Sequence, residues 1–221
     1  MTTPQRRADD EARRVAFHEA GHAVAAVKLG IGFEAVSIVG DKETDGRIIH
    51  DAAPTSGVRT KHARETMQKF IVFVLAGPAA EGLPGGHAYD WSGSFDDRDH
   101  AAEYASRVTD DVAEMTRLVR SCRVLARILI RQNAEAVHRV AAELLAYKTL
   151  SAERVMRIVK DVDRERSKTL MKRVEGIAND VRRTGGAARR QRTPENEGGF
   201  RGNIRALPGV VDIRGRCCAR A

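Results

Sequence analysis

Cysteine is scarce and odd in number: three residues, two of them adjacent at Cys217 and Cys218. That excludes a disulfide framework and a CxxC-type zinc cluster. Long apolar runs are missing too. The longest, Phe70–Ala80, is about half of what a membrane-spanning helix needs. The stretch MTTPQRRADDEARR at the amino terminus lacks the apolar core of a signal peptide. Together these absences predict a reducing, cytoplasmic setting. No GxxxxGK[ST] or GxGxxG is present, which removes the usual phosphate-cradling loops.

What is present is a chain of 221 residues with 42% hydrophobic residues, enough for a core. Its net charge of +8 is unevenly spread: residues 1–162 are balanced at 23 basic and 23 acidic, and residues 163–221 carry 15 and 7. The basic excess therefore belongs to the last quarter and says little about the body.

Hydrophobic spacing predicts a mainly α protein with a small β element (α+β) and a helical C-terminal half. A helix capped at Asp9 or Asp10 is expected to run to Leu29. Strands follow at Phe33–Val39 and Arg47–His50, with a polar turn between them. A helix from Val58 or Arg59 to about Glu81 should kink or restart at Pro78. Further helices are expected from Asp96 through Ala105, through Leu118, Leu125, Ile128 and Leu129, over Asn133–Tyr147, and after a Ser151 cap. The domain reading is a body over residues 1–162, a basic helix over 163–183 striped by Leu170, Val174, Ile177 and Val181 and stopped at Gly185–Gly186, and a disordered basic tail over 184–221.

Residues 18–22 read His-Glu-Ala-Gly-His, an HExxH motif inside a predicted helix. Four residues advance a helix by about 6 Å and little more than one turn, so both imidazoles leave one face and can share one zinc ion. Glu19 stands beside such an ion. It can take a proton from a zinc-bound water as general base in attack on a peptide carbonyl, then return it to the leaving amine. A chance pattern on a core helix would bury two imidazoles that still need polar partners. A catalytic zinc needs a third protein ligand, and spacing leaves it open among His50, His62, His87, His100, His138 and the acids of residues 90–103. Lys28 stands where a metzincin would carry its third His.

Four ordered segments extend the motif. VAFHEAGHAVAAVKLGIGFEAVSIVG at residues 15–40 resembles the start of the peptidase domain of FtsH-type ATP-dependent zinc metalloproteases. VLAGPAAEGL at 74–83 resembles that family's L-G-G-R-A-A-E-E-L. GSFDDRDHAAEYAS at 93–106 resembles G-A-S-N-D-L-x-x-A-T-x-x-A, and ELLAYKTLSAERV at 143–155 resembles L-L-E-K-E-T-L-x-x-E-E-I. The resemblance implies a zincin-type HExxH helix, zinc ligands His18, His22 and Asp97, and Glu19 as catalytic acid/base. Asp96 and Asp99 are the neighbouring alternatives to Asp97, and Glu81 is placed to orient a ligand imidazole. Pro78 departs from the family's Arg, and Asp90-Trp91-Ser92 from its Thr-rich approach to the third ligand. With 17 residues before His18, the resemblance is to the peptidase domain alone, with no ATP site expected in this chain.

The implied function is that of a zinc metalloendopeptidase acting on peptides or unfolded segments. Implied partners are further copies of the chain, since the family is hexameric, and a separate unfoldase. Two rival readings are an inactive zinc-bearing scaffold that binds partners, and a nucleic-acid-binding protein acting through the tail. The tail holds one aromatic, Phe200, so weak nonspecific contact with nucleic acid or an anionic surface is its expected role. Tyr89, Trp91 and Phe95 could line a substrate cleft, and His138 is expected on a solvated helix face.

Overall fold

A computed structural model of the chain describes residues 3–40, 47–50, 61–85 and 95–190. The chain divides into two units, Met1–Met171 and Lys172–Ala221. The described elements are α1 (Thr3–Leu29), β1 (Phe33–Ser37), β2 (Arg47–His50), α2 (Lys61–Val74), α3 (Ala76–Glu81), α4 (Phe95–Ser106), α5 (Val112–Gln132), α6 (Ala134–Tyr147), β3 (Thr149–Ser151) and α7 (Ala152–Arg190). The fold is mainly α with a small β element, as the spacing predicts.

Helix α1 is the axis of the first unit. Ala16, Ala20, Ala23, Val24, Ala25 and Ala26 are all fully buried. Such small side chains let neighbouring helices close in, and α1 packs on α2, α3, α5 and α6. The helix begins at Thr3, earlier than the cap expected at Asp9 or Asp10. Pro4 sits in its first turn, where a missing N–H costs nothing.

The sheet has order β2-β1-β3, antiparallel throughout. Val36 of β1 pairs with Ile48 on one side and Leu150 on the other, and Val36 and Leu150 are buried. Burying a side chain of that size is worth about 1.5–3 kcal/mol, which holds so small a sheet to the helices. β3 was not expected from the sequence: three residues give no readable alternation. Lys148, with φ of 67°, turns the chain out of α6 and into β3. Its N–H donates to the Leu144 carbonyl, and its own carbonyl accepts from Ile38.

The helical stretch expected from Val58 or Arg59 to about Glu81 does restart, but at Leu75 and not at Pro78, giving two helices among the described residues. Pro78 has no N–H for the carbonyl four residues back, so the break falls just ahead of it. In α5 the buried face is Leu118, Cys122, Ala126 and Ile130, whereas Leu125 and Ile128 are exposed. Apolar residues occupy both faces of α5, and packing on α2 and α3 decides which is inner. Val137, Ala141 and Leu144 of α6 and Val155, Ile158 and Val162 of α7 are buried as their spacing predicts.

In the second unit, the described residues continue α7 to Arg190, past Gly185 and Gly186 where a stop was expected. Val174, Ile177 and Val181 on it are exposed. The remainder of the expected tail, including Phe200, Cys217 and Cys218, lies outside the described residues, as do His87, Tyr89 and Trp91.

Candidate metal centre

Three elements meet at one corner of the first unit. α1 supplies His18, Glu19 and His22, α3 closes on it from one side, and the first turn of α4 brings Asp97. The approach of α1 and α3 depends on two glycines. A Cβ on Gly21 would lie 2.5 Å from the Ala76 carbonyl oxygen and 2.6 Å from Ala80 Cβ. A Cβ on Gly77 would lie 2.8 Å from His18 Nε2 and closer still to His22 Nε2. The space beside both nitrogens exists because residue 77 has no side chain.

The two rings converge through Nε2. His18 Nε2 and His22 Nε2 are 3.0 Å apart, His18 Nε2 lies 3.1 Å from Asp97 Oδ2, and His22 Nε2 lies 3.5 Å from Asp97 Oδ1. The opposite nitrogens are committed. His18 Nδ1–H donates to Glu81 Oε1 at 2.6 Å, and His22 Nδ1–H donates to the Phe73 carbonyl at 3.0 Å. A carbonyl can only accept, so His22 carries a proton on Nδ1, and in the neutral ring, as in one that holds a metal ion, its Nε2 offers a lone pair. Neutral His18 has the same tautomer against the Glu81 carboxylate.

This arrangement fits a divalent metal ion. Two facing Nε2 lone pairs at 3.0 Å repel unless a proton or a metal ion lies between them. A tetrahedral zinc ion with bonds of about 2.0–2.1 Å holds its donors about 3.3 Å apart, a value that the three separations above bracket. Two imidazoles and a carboxylate are also a donor set zinc accepts. Among the described residues, His18, His22 and Asp97 form the group with metal-ligand geometry.

Electrostatics point the same way. Burial alone would lower the His18 pKa, but hydrogen bonds to Asp97 and Glu81 and the charges of Asp97 and Glu19 raise it to about 10. Burial would raise Asp97, yet the charge of His22 and hydrogen bonds to both imidazoles hold it well below the usual carboxylate range. The pocket thus attracts a cation, and a proton is the one available without metal. Glu19 is 5% exposed, and its Oε2 has no hydrogen-bond partner. Burial pushes its pKa up, against the charges of His22 and His18. A buried oxygen left unpaired beside converging ligands is an unusual expense unless something else binds there.

Among the described residues, the other candidates for third ligand lie outside this group. Asp96 and Asp99 flank Asp97 on α4 but are exposed, as are His62 and His100. The His50 ring packs on Phe73, at 4.9 Å between ring centroids. His138 is half-buried against Phe17, at 5.2 Å between ring centroids, and does not lie on a solvated face. Three contributors went unread in the sequence. The Phe73 carbonyl has no side-chain signal. Gly77 lines the site by lacking atoms. Arg14, whose Nη1 lies 3.4 Å from Glu81 Oε1, precedes His18 by four residues, the spacing that joins His18 to His22, and that regularity could have exposed it.

No family model matches the chain. It is similar to the ATP-dependent zinc metalloprotease FtsH 2 of Conexibacter woesei, at 28% identity over 210 residues. The match takes in 75% of this chain and 30% of that protein, so the chain spans less than a third of its relative's length. Among the described residues, no helix is long and apolar enough to cross a membrane. The chain is thus similar to part of an FtsH zinc metalloprotease.

Proposed function

We propose that the chain is a zinc metalloendopeptidase, with His18, His22 and Asp97 as ligands and Glu19 as general base. The observation that carries this reading is the convergence of two Nε2 atoms and one carboxylate beside the unpaired, buried Glu19 Oε2. When bound, zinc supplies Lewis acidity that makes water a better acid and a peptide carbonyl a better electrophile. Glu19 takes a proton from the attacking water at Oε2 as the new C–O bond forms. It then passes that proton to the amide nitrogen as the C–N bond breaks, leaving a carboxylic acid and an amine. Burial suits it to this exchange, because a carboxylate with a raised pKa is the stronger base. Glu81 and the Phe73 carbonyl hold the far nitrogens of the two imidazoles, so the rings do not reorient as charge moves. Peptides and unfolded segments are the proposed substrates, with further copies of the chain and a separate unfoldase as proposed partners.

Metal content and peptide cleavage, measured on wild type, Glu19→Gln and Asp97→Ala, test the proposal. Wild type should hold one zinc per chain and cleave. Glu19→Gln should hold zinc and lose at least about 100-fold in activity, the low end for a positioned acid/base. Asp97→Ala should lose both. A metal-free wild type, or an active Glu19→Gln, would refute it.

A further inference from the structure

Three carboxylates crowd the corner: Glu19 and Glu81, both buried, and Asp97, half-buried. With both imidazoles neutral, a divalent ion balances two of them and leaves one negative charge over. Buried charge without a partner is costly, so a further cation is needed close by.

Arg14 meets that need. It sits one turn before His18 on the same face of α1. Its Nη1 lies 3.4 Å from Glu81 Oε1, the very oxygen that accepts the His18 Nδ1–H bond. Its Nε and Nη2 donate to Glu11, at 3.1 Å from Nε and 2.5 Å from Nη2 to Oε1. Glu11 is 55% exposed, so water screens most of its charge while it still fixes the fork. The Arg14 side chain is 22% exposed and the Glu81 side chain 4%. The guanidinium charge is therefore felt on the buried side, by Glu81.

We propose that Arg14 is a positioning residue of the metal centre, whose positive charge secures Glu81 against His18 and thereby strengthens the hold of His18 and its partners on a divalent ion. This rests on reading the corner as a metal site. Arg14 touches neither substrate nor metal and acts through Glu81, as the outer residue of the line Arg14, Glu81, His18.

The test uses the full chain loaded with zinc in competition with a chelator, and with cobalt for its visible absorption spectrum. Arg14→Gln should weaken zinc binding about 10-fold, the lower end of the range for residues behind a ligand, and should shift the cobalt bands. Arg14→Lys keeps the charge and should stay within about 3-fold of wild type. Equal affinity in Arg14→Gln and wild type overturns the inference, and so does an equal loss in Arg14→Gln and Arg14→Lys, which would mean packing and not charge. If Arg14→Gln fails to fold, Glu81→Gln and Glu81→Gln/Arg14→Gln are compared instead. Their zinc affinities should match, because Arg14 acts through the charge of Glu81, and a further loss in the double variant overturns the inference. Wild type that binds no zinc refutes the metal site itself, a result distinct from all of these.

Discussion

Two points along α1 carry the same kind of contact in different surroundings. Near the middle of the helix, His18 meets Glu81 at 2.6 Å, with side chains 16% and 4% exposed. In its last turn, Lys28 meets Asp163 of α7 at 2.7 Å, with side chains 21% and 49% exposed. Distance does not distinguish them. Burial does, because water at Asp163 already solvates its charge, whereas Glu81 has only the protein. The first contact fixes the face of a mostly buried ring. The second ties two helices together at little net gain.

The strongest way to break the contrast is Gly77→Ala. The added methyl would enter the space beside both Nε2 atoms, so zinc affinity should fall by 100-fold or more, and stability by about 1–3 kcal/mol from overpacking. Metal titration and thermal unfolding measure the two effects, and normal zinc binding would show that the corner yields. Next comes pH. The folded-state pKa of His18 stands near 10, above its unfolded value of 6.5. In the metal-free protein its stabilising contribution should be complete below pH 6.5 and disappear as pH rises through about 10. Zinc must displace that proton, so zinc affinity should rise with pH over the same window. Denaturant unfolding without metal and chelator competition with it should therefore trend in opposite directions. The smallest effect belongs to Lys28→Ala, which should cost no more than about 1 kcal/mol in denaturant unfolding and leave zinc binding unchanged. A loss above about 2 kcal/mol would erase the difference between the two contacts.

Legibility in the sequence followed physical range. HExxH could be read because one helix carries it, and helical spacing alone aims its side chains. Asp97 needed the ordered likeness of segments to the FtsH peptidase domain, since residue spacing left five histidines and the acids of residues 90–103 open. The buried faces of α6 and α7 were plain from periodicity. That of α5 was not, because Leu125 and Ile128 continue the apolar pattern onto the outer face and only packing on α2 and α3 ranks the two. β3 was invisible for want of length, and its formation depends on the backbone of Lys148 and a ladder to β1 far earlier in the chain. Arg14 was legible in principle but reads as one more exposed arginine until Glu81 is brought to it.

The two imidazoles owe their orientation to unlike kinds of support, and mutation would see them differently. His18 leans on the Glu81 side chain, which one codon change can delete. His22 leans on the Phe73 carbonyl, in the last turn of α2 just before the break at Leu75, where helix carbonyls have no successor to bind. No substitution at residue 73 other than one that redirects the chain removes that oxygen. A scan of single side-chain changes would thus record one imidazole as supported and the other as self-sufficient, although both are held. The hidden half of the design is inherited through the path of the backbone, and Pro78 is the residue through which it can be altered.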